Sequence, residues 1–285
     1  RDVAEALTGG KLREMYPDNV RKKAKTSHDS DRQKLAVFFP LLGNRPIGEI
    51  TTDDTDRARA LIPAGIEASS RLMYLKALRR VFRYAVEPLR LIERSPLRDL
   101  PQLPKGRQFW FLYPGEEAKI LGCTSLPLLY RVLYGFLARN GTRIAETLKI
   151  TVDHVDFNSG VIRLEASWTK TQRARFWRLD PDVLRALESW CNLQGLTGKA
   201  RLFGGKTGKL SPRTVAKRFH EDLKTAGVTR PELFSRTQGE GAIRIHDWRA
   251  LLVTLALRAG RDVKWIMART GHESIAVLQK YDRLV

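Results

Sequence analysis

Seven side chains in the second half of the sequence have types and an order that suit joint chemistry. Arg143 and Glu146 lie in Gly141-Thr-Arg-Ile-Ala-Glu146, and Lys170 in Trp168-Thr-Lys-Thr171. His246 and Arg249 bracket His246-Asp-Trp-Arg249, His272 follows Gly271, and Tyr281 comes nine residues after His272. Guanidinium groups carry forked donors and a permanent charge, which suits them to anionic oxygens. Imidazole exchanges protons near neutral pH. A lysine, with an ordinary pKa near 10.4, delivers a proton more readily when neighbouring cations lower that value. A phenol can attack an electrophile and form a covalent intermediate, but its ordinary pKa of about 10 calls for a nearby base or cation. Glu146, three residues after Arg143, shares a helix face with it and can orient a partner. Taken singly, each motif is common: an ordinary helix pair, a basic turn, a helix stop. Their joint order carries the weight.

Several elements must position these groups. Asn140-Gly141 stops a strongly apolar helix, Leu126 to Arg139, and a new helix begins near Thr142. Alternating or β-branched runs at His154–Phe157, Val161–Leu164 and Arg175–Leu179 predict a three-stranded antiparallel sheet, with Asn158-Ser-Gly160 turning between the first two. Lys170 then sits on the turn between the second and third strands. Arg173 and Arg175 are rivals for its place, but arginine is a poor proton donor because its pKa exceeds about 12. Helices are expected near Pro114–Leu121, Asp182–Gln194, Pro212–Ala226, Ile245–Ala259, Val263–Ala268 and Ser274–Tyr281.

The first part of the chain reads as helical. Residues 1–20 show little periodicity and form an expected flexible arm, followed by the basic cluster Arg21, Lys22, Lys23 and Lys25. Leu35, Val37, Phe38 and Leu41 predict a helix from about Ser30 to Leu42, and Thr51 or Thr52 caps a second through about Leu61. In a third, Ser69 to Val86, one side carries Tyr74, Leu78, Val81, Phe82 and Ala85. The other carries Lys76, Arg79, Arg80 and Arg83 with no acidic residue among them. Pro96-Leu-Arg-Asp-Leu-Pro-Gln-Leu-Pro104-Lys-Gly106 cannot continue a helix and reads as an extended linker. The expected organisation is an arm at 1–20, a helical domain at 21–95, a linker at 96–107 and a second domain at 108–285.

The chain has 285 residues, enough for two domains of roughly 100–200 residues. Lys and Arg number 51 against 31 Asp and Glu, a formal net charge of +20 that calls for a polyanion. Both expected domains are net basic, so no single tail accounts for the charge. Cys123 and Cys191 cannot build a disulfide framework, and no Cys/His cluster has zinc spacing. A reducing cytoplasm is the expected compartment. No apolar run approaches the roughly 18–20 residues that span a bilayer, and no signal peptide is evident. Because the chain opens at Arg1 rather than Met, it reads as a fragment that a further segment could precede.

The ordered set Arg-x-x-Glu, hairpin Lys, His-x-x-Arg, Gly-His and C-terminal Tyr resembles the active-site motifs of the tyrosine recombinases, the phage-type integrases. The resemblance covers essentially the whole second domain. In the first it rests on a helical domain of suitable size joined by a linker. It implies a mainly α fold: a small helical DNA-binding domain beside a mainly helical catalytic domain with a small three-stranded antiparallel β-sheet. The reaction it implies is site-specific cleavage and rejoining of DNA through a 3′-phosphotyrosyl intermediate. By this resemblance Tyr281 is the nucleophile, Arg143 and Arg249 hold the scissile phosphate, and His246 accepts a proton. Lys170 protonates the leaving 5′ oxygen, His272 donates to the phosphate, and Glu146 supports. Lys76, Arg79, Arg80, Arg83, Arg213, Lys217 and Arg218 are the candidate DNA contacts.

No metal or ATP is expected, since protein cations stand in for a metal and the covalent linkage conserves energy. Double-stranded DNA sites and a homo-tetramer exchanging strands through a Holliday junction are the expected partners, without a membrane and in association with the nucleoid. Only Asp282 to Val285 follow the tyrosine, so the tail that often packs on a neighbour is short or cut away. The rival readings are a type IB topoisomerase or telomere resolvase, a non-catalytic DNA-binding accessory protein, and an RNA-binding module.

Overall fold

The computed structural model describes residues 25–87, 89–102, 110–169, 172–204, 210–235, 241–278 and 281. The chain divides into two compact units, Arg1–Gly106 and Arg107–Val285. The expected arm at 1–20 and the cations at 21–23 lie outside the described residues.

In the first unit, α1 (Lys25–Ala36) and α2 (Phe39–Leu42) replace the single predicted helix. The break follows from Pro40, which has no N–H to donate and is accommodated only in a first helical turn. Helix α3 (Thr52–Arg59) starts at Thr51, whose hydroxyl accepts from the Asp54 N–H at 3.2 Å while the Asp54 carboxylate accepts from the Thr51 N–H at 2.9 Å. Helix α4 (Ala68–Val86) buries Leu75, Leu78, Val81, Phe82 and Ala85 against Leu35, Phe38, Leu42, Ala58 and Ile62. Its cations Lys76, Arg79, Arg80 and Arg83 are exposed. Two of them find acidic partners from elsewhere in the unit: Arg80 with Asp31 at 2.5 Å and Arg79 with Asp99 at 3.6 Å. The stretch from Pro96, expected to open the linker, is bonded into this unit. Leu97 is buried in its core, the Thr55 hydroxyl donates to the Pro96 carbonyl at 3.1 Å, and Arg98 pairs with Asp56 at 2.9 Å. Proline sets an extended backbone there, but the leucine between the prolines still seeks apolar cover.

The second unit is built on α6 (Leu128–Asn140), which packs against α5 (Pro114–Gly122), α8 (Pro181–Gln194) and α10 (Asp247–Arg258). Leu133, Tyr134, Phe136 and Leu137 are its buried face. Gly141 ends the helix at φ 57°, the left-handed position glycine adopts without a Cβ penalty. A short helix α7 (Ile144–Thr147) follows, then strands β1 (Val155–Asp156), β2 (Val161–Leu164) and β3 (Arg175–Arg178). The sheet is antiparallel in the order β1-β2-β3, with Ile162 opposite Trp177 and Leu164 opposite Arg175. The Trp177 indole donates to the Asn140 side chain at 2.9 Å, which pins the sheet to the end of α6. The remaining helices are α9 (Pro212–Thr225), α11 (Val263–Thr270), which packs on β3, and α12 (Ile275–Leu278). The architecture is mainly helical with one small three-stranded antiparallel sheet.

Candidate active site

Arg143 is the residue before the first turn of α7, placed two residues after the Gly141 stop. Its guanidinium donates to one Glu146 oxygen at 2.7 Å, and its backbone N–H donates to the other at 3.3 Å. Glu146 is almost completely buried, whereas Arg143 keeps part of its side chain in solvent. The second Glu146 oxygen also accepts from Arg175, the first residue of β3. Arg175 is itself buried and donates through Nη1 to the Arg269 carbonyl at 2.7 Å. Burial pushes the Arg175 pKa down, and the Glu146 carboxylate opposes that shift. Its Nε is buried without a hydrogen-bond partner among the described residues. A buried guanidinium so engaged has its Nη donors committed to Glu146 and the Arg269 carbonyl.

Arg249 rises from the first turn of α10 and is 2% exposed. Nη1 donates to the Gly141 carbonyl at 2.9 Å, so the glycine that ends α6 also seats this arginine. Nη2 lies 3.0 Å from His272 Nε2. Burial first, then repulsion from Arg143, bring the Arg249 pKa down to about 10, which leaves it charged at neutral pH. Asp247, inside the His-x-x-Arg motif, is buried and accepts from the Arg244 N–H at 2.7 Å, which fixes the entry to α10. Trp248 beside it belongs to the core.

Gly271 ends α11 at φ 66° and delivers His272. The buried Thr270 hydroxyl donates to the Ile266 carbonyl at 2.7 Å and lies 3.0 Å from His272 Nδ1. With its one proton given to Ile266, Thr270 is left to accept, so Nδ1 carries the imidazole proton and Nε2 presents its lone pair to Arg249. Burial, then Arg249 and Arg143, push the His272 pKa down to about 3, so the ring is neutral. His246 is the cap residue of α10 and keeps solvent contact, yet the atoms packed about its ring, then the Arg249 charge, hold its pKa below the ordinary value. A neutral imidazole there is competent to accept a proton.

Tyr281 packs with Val253, Ala256, Ile266 and Leu278. Its ring lies 5.6 Å from that of His272, and its carbonyl accepts from the Thr254 hydroxyl at 3.3 Å. Arg143, Glu146, Arg249, His272 and Tyr281 therefore converge from four separated stretches of sequence, with His246 close enough to His272 to interact with it electrostatically. Lys170 lies outside the described residues. Among the described residues next to it, the Arg173 N–H donates to the Thr169 hydroxyl at 3.1 Å.

Arg175 and Thr270 are the members that the motifs do not name. The signal for Arg175 is the alternation of β3: Arg175 and Trp177 point inward, Phe176 and Arg178 outward. A charged residue in register with a buried tryptophan must find a carboxylate.

The candidate DNA contacts of α9 separate into two groups. Arg213 and Lys217 are exposed, but Arg218 is drawn into its own domain. It pairs with buried Asp222 at 2.9 Å, one turn on, and lies over the Tyr130 ring at 4.4 Å, while the Tyr134 hydroxyl donates to Asp222 at 2.6 Å. Asp222 on the inner face would be an unpaired buried charge without it, which is why this arginine differs from its neighbours.

The model of the phage integrase family matches residues 112–285. The integrase of Mycobacterium phage D29 is 24% identical over 292 residues, covering 98% of this chain and 71% of that protein. The tyrosine recombinase XerC of Myxococcus xanthus is 23% identical over 249 residues, covering 84% and 75%. Lambda integrase is similar in fold at 18% identity. Its dimer bound to a COC′ core site gives a TM-score of 0.70 over 93% of this chain and 95% of that one. Its tetramer bound to a Holliday junction gives 0.65 over 90% and 71%.

Proposed function

The chain belongs to the phage integrase family, and from that premise we propose that its residues cut and rejoin duplex DNA site-specifically through a phosphotyrosine at Tyr281. One observation above all supports this: Arg249, His272 and Tyr281 meet, with a guanidinium nitrogen 3.0 Å from the imidazole and that ring 5.6 Å from the phenol. Arg143 and Arg249 would grip the non-bridging oxygens of the scissile phosphate, where negative charge grows in the transition state. The Tyr281 oxygen attacks phosphorus and the bond from phosphorus to the 5′ oxygen breaks. His246 takes the phenol proton and Lys170 gives one to the departing oxygen. The 5′ hydroxyl of a second strand then reverses the step, so the bond energy is conserved and no outside energy source is required.

His272 has a particular place in this scheme. In the free protein its Nε2 accepts from Arg249, the position a phosphate oxygen would take. To donate to that phosphate the ring must move its proton to Nε2 or gain a second one. A bound phosphate favours the second course, because its charge opposes the cations that hold the ring neutral.

The two basic units would bind duplex DNA, with Lys76, Arg79, Arg83, Arg213 and Lys217 as phosphate contacts. Arg80 is the weaker candidate on α4 because Asp31 already holds it. No helix of the described residues is long and apolar enough to cross a membrane. The remaining elements of the proposal are paired DNA sites, a homo-tetramer and a nucleoid-associated place in the cytoplasm. They follow the reading of the chain as a recombinase and the lambda integrase tetramer bound to a Holliday junction.

The decisive experiment uses two DNA molecules carrying the target site and looks for reciprocal exchange of flanks. Exchange is the expected product. Relaxation of supercoils without exchange would identify a monomeric strand-passing relative instead.

Lys170 has its own test. With a 5′-bridging phosphorothiolate at the scissile bond, the sulfur leaves with little help from a proton. Lys170→Ala is expected to be slow on ordinary DNA and largely restored on the sulfur substrate, whereas Arg143→Ala stays slow on both. Equal defects of Lys170→Ala on the two substrates would reduce this lysine to a phosphate contact.

A further inference from the structure

We propose that Arg175 is a positioning residue that ties the Lys170 hairpin to both Arg143 and the His272 turn. This rests on the recombinase reading above and deepens it. Arg175 opens β3, five residues beyond Lys170, and is paired with Leu164 across the hairpin. Its Nη2 binds Glu146 Oε2, and Glu146 Oε1 binds Arg143 at 2.7 Å. Its Nη1 binds the carbonyl of Arg269, three residues before His272, at 2.7 Å. One planar group thus reaches three of the stretches that carry reacting residues.

The electrostatics give the arrangement a direction. Arg143 is a long side chain with a solvated end, and its guanidinium is ion-paired to Glu146. Glu146 is a buried carboxylate between two guanidiniums, so its own orientation depends on Arg175. If Arg175 moves, Glu146 follows and the phosphate grip of Arg143 loses its reference. Arginine is required because two nitrogens must donate along separate directions from one rigid plane. An ammonium is a point charge without that plane.

The test is single-turnover covalent adduct formation on a nicked substrate with saturating protein, using the full chain. Arg175→Lys is expected to slow adduct formation roughly 100-fold, the scale of a displacement of about 1 Å at a reacting group, with DNA affinity changed by no more than about 2-fold. Introduced into Arg143→Ala, the same change should slow the reaction by clearly less than the roughly 100-fold expected in the parent, because one of the groups through which it acts is gone. Defects that multiply in full would overturn the proposal and make Arg175 an independent structural residue.

A second variant guards against simple unfolding. Glu146→Gln with Arg175→Met removes the ion pair without stranding a buried charge. It should melt near the parent and still cleave slowly. A folded double variant that cleaves at the parent rate also overturns the proposal. If the parent protein forms no adduct at all, the recombinase reading fails instead, and the two failures are told apart by that control.

Discussion

Tyr281→Phe is expected to bind target DNA like the parent and to form no covalent adduct at all. The assay is a suicide substrate, in which a nick near the cleavage site lets a short fragment diffuse away so that religation is blocked. The parent should accumulate a protein–DNA species that resists denaturant and disappears on proteolysis. The phenylalanine variant removes one oxygen and little else. Its ring can keep the contacts with Val253, Ala256, Ile266 and Leu278, and the backbone bonds at this position are untouched. Loss of the adduct with retained binding would therefore assign the nucleophile rather than a packing role. An adduct formed by the variant would remove Tyr281 from the mechanism.

The second large effect is the response of binding to salt. A chain with a net charge of +20, meeting about 6–10 phosphates, should lose roughly 10³–10⁵ in affinity between about 50 and 200 mM salt. Each Lys or Arg that displaces a condensed counterion adds about 0.9 to the slope of log affinity against log salt on duplex DNA. Neutralising Lys76, Arg79 and Arg83 together should therefore lower that slope by up to about 2.7, and complexes already formed should still react. Arg79 belongs in this set despite its Asp99 partner, since an exposed pair at 3.6 Å is weak enough for a phosphate to replace it. A flat salt profile on duplex DNA would point to a different partner.

Much of the site was legible because its residues sit at element boundaries, where sequence signals are strongest. A glycine stop precedes Arg143, another precedes His272, and His246 caps the helix that carries Arg249. The strand alternation gave the sheet, and the apolar stripe of α4 gave the first core. What stayed hidden depends on partners distant in sequence. Arg175 looked like one more cation on a basic hairpin until β3 turned it inward toward Glu146, 29 residues earlier. Arg218 looked like its neighbours until Asp222 and Tyr130 closed around it. Leu97 read as linker because its flanking prolines dominate the local pattern, while its burial comes from tertiary contact. The periodicity of residues 30–42 outweighed Pro40, whose local rule was the one that held.

The close packing of β3 on the end of α11 also restricts what residue 271 can be. A left-handed helix stop by itself tolerates asparagine as well as glycine. Here a side chain at 271 would put its first carbon 2.7 Å from Arg175 Nη1 and 2.9 Å from Cζ. A guanidinium is ordinarily the yielding end of a flexible chain, but this one is held by Glu146 on one side and the Arg269 carbonyl on the other. It could give way only by abandoning one of them. Asparagine is thus excluded by an arginine nearly one hundred residues away in sequence, and the glycine of the Gly-His pair answers two separate demands: the handedness of a turn, and the space that a buried cation already fills.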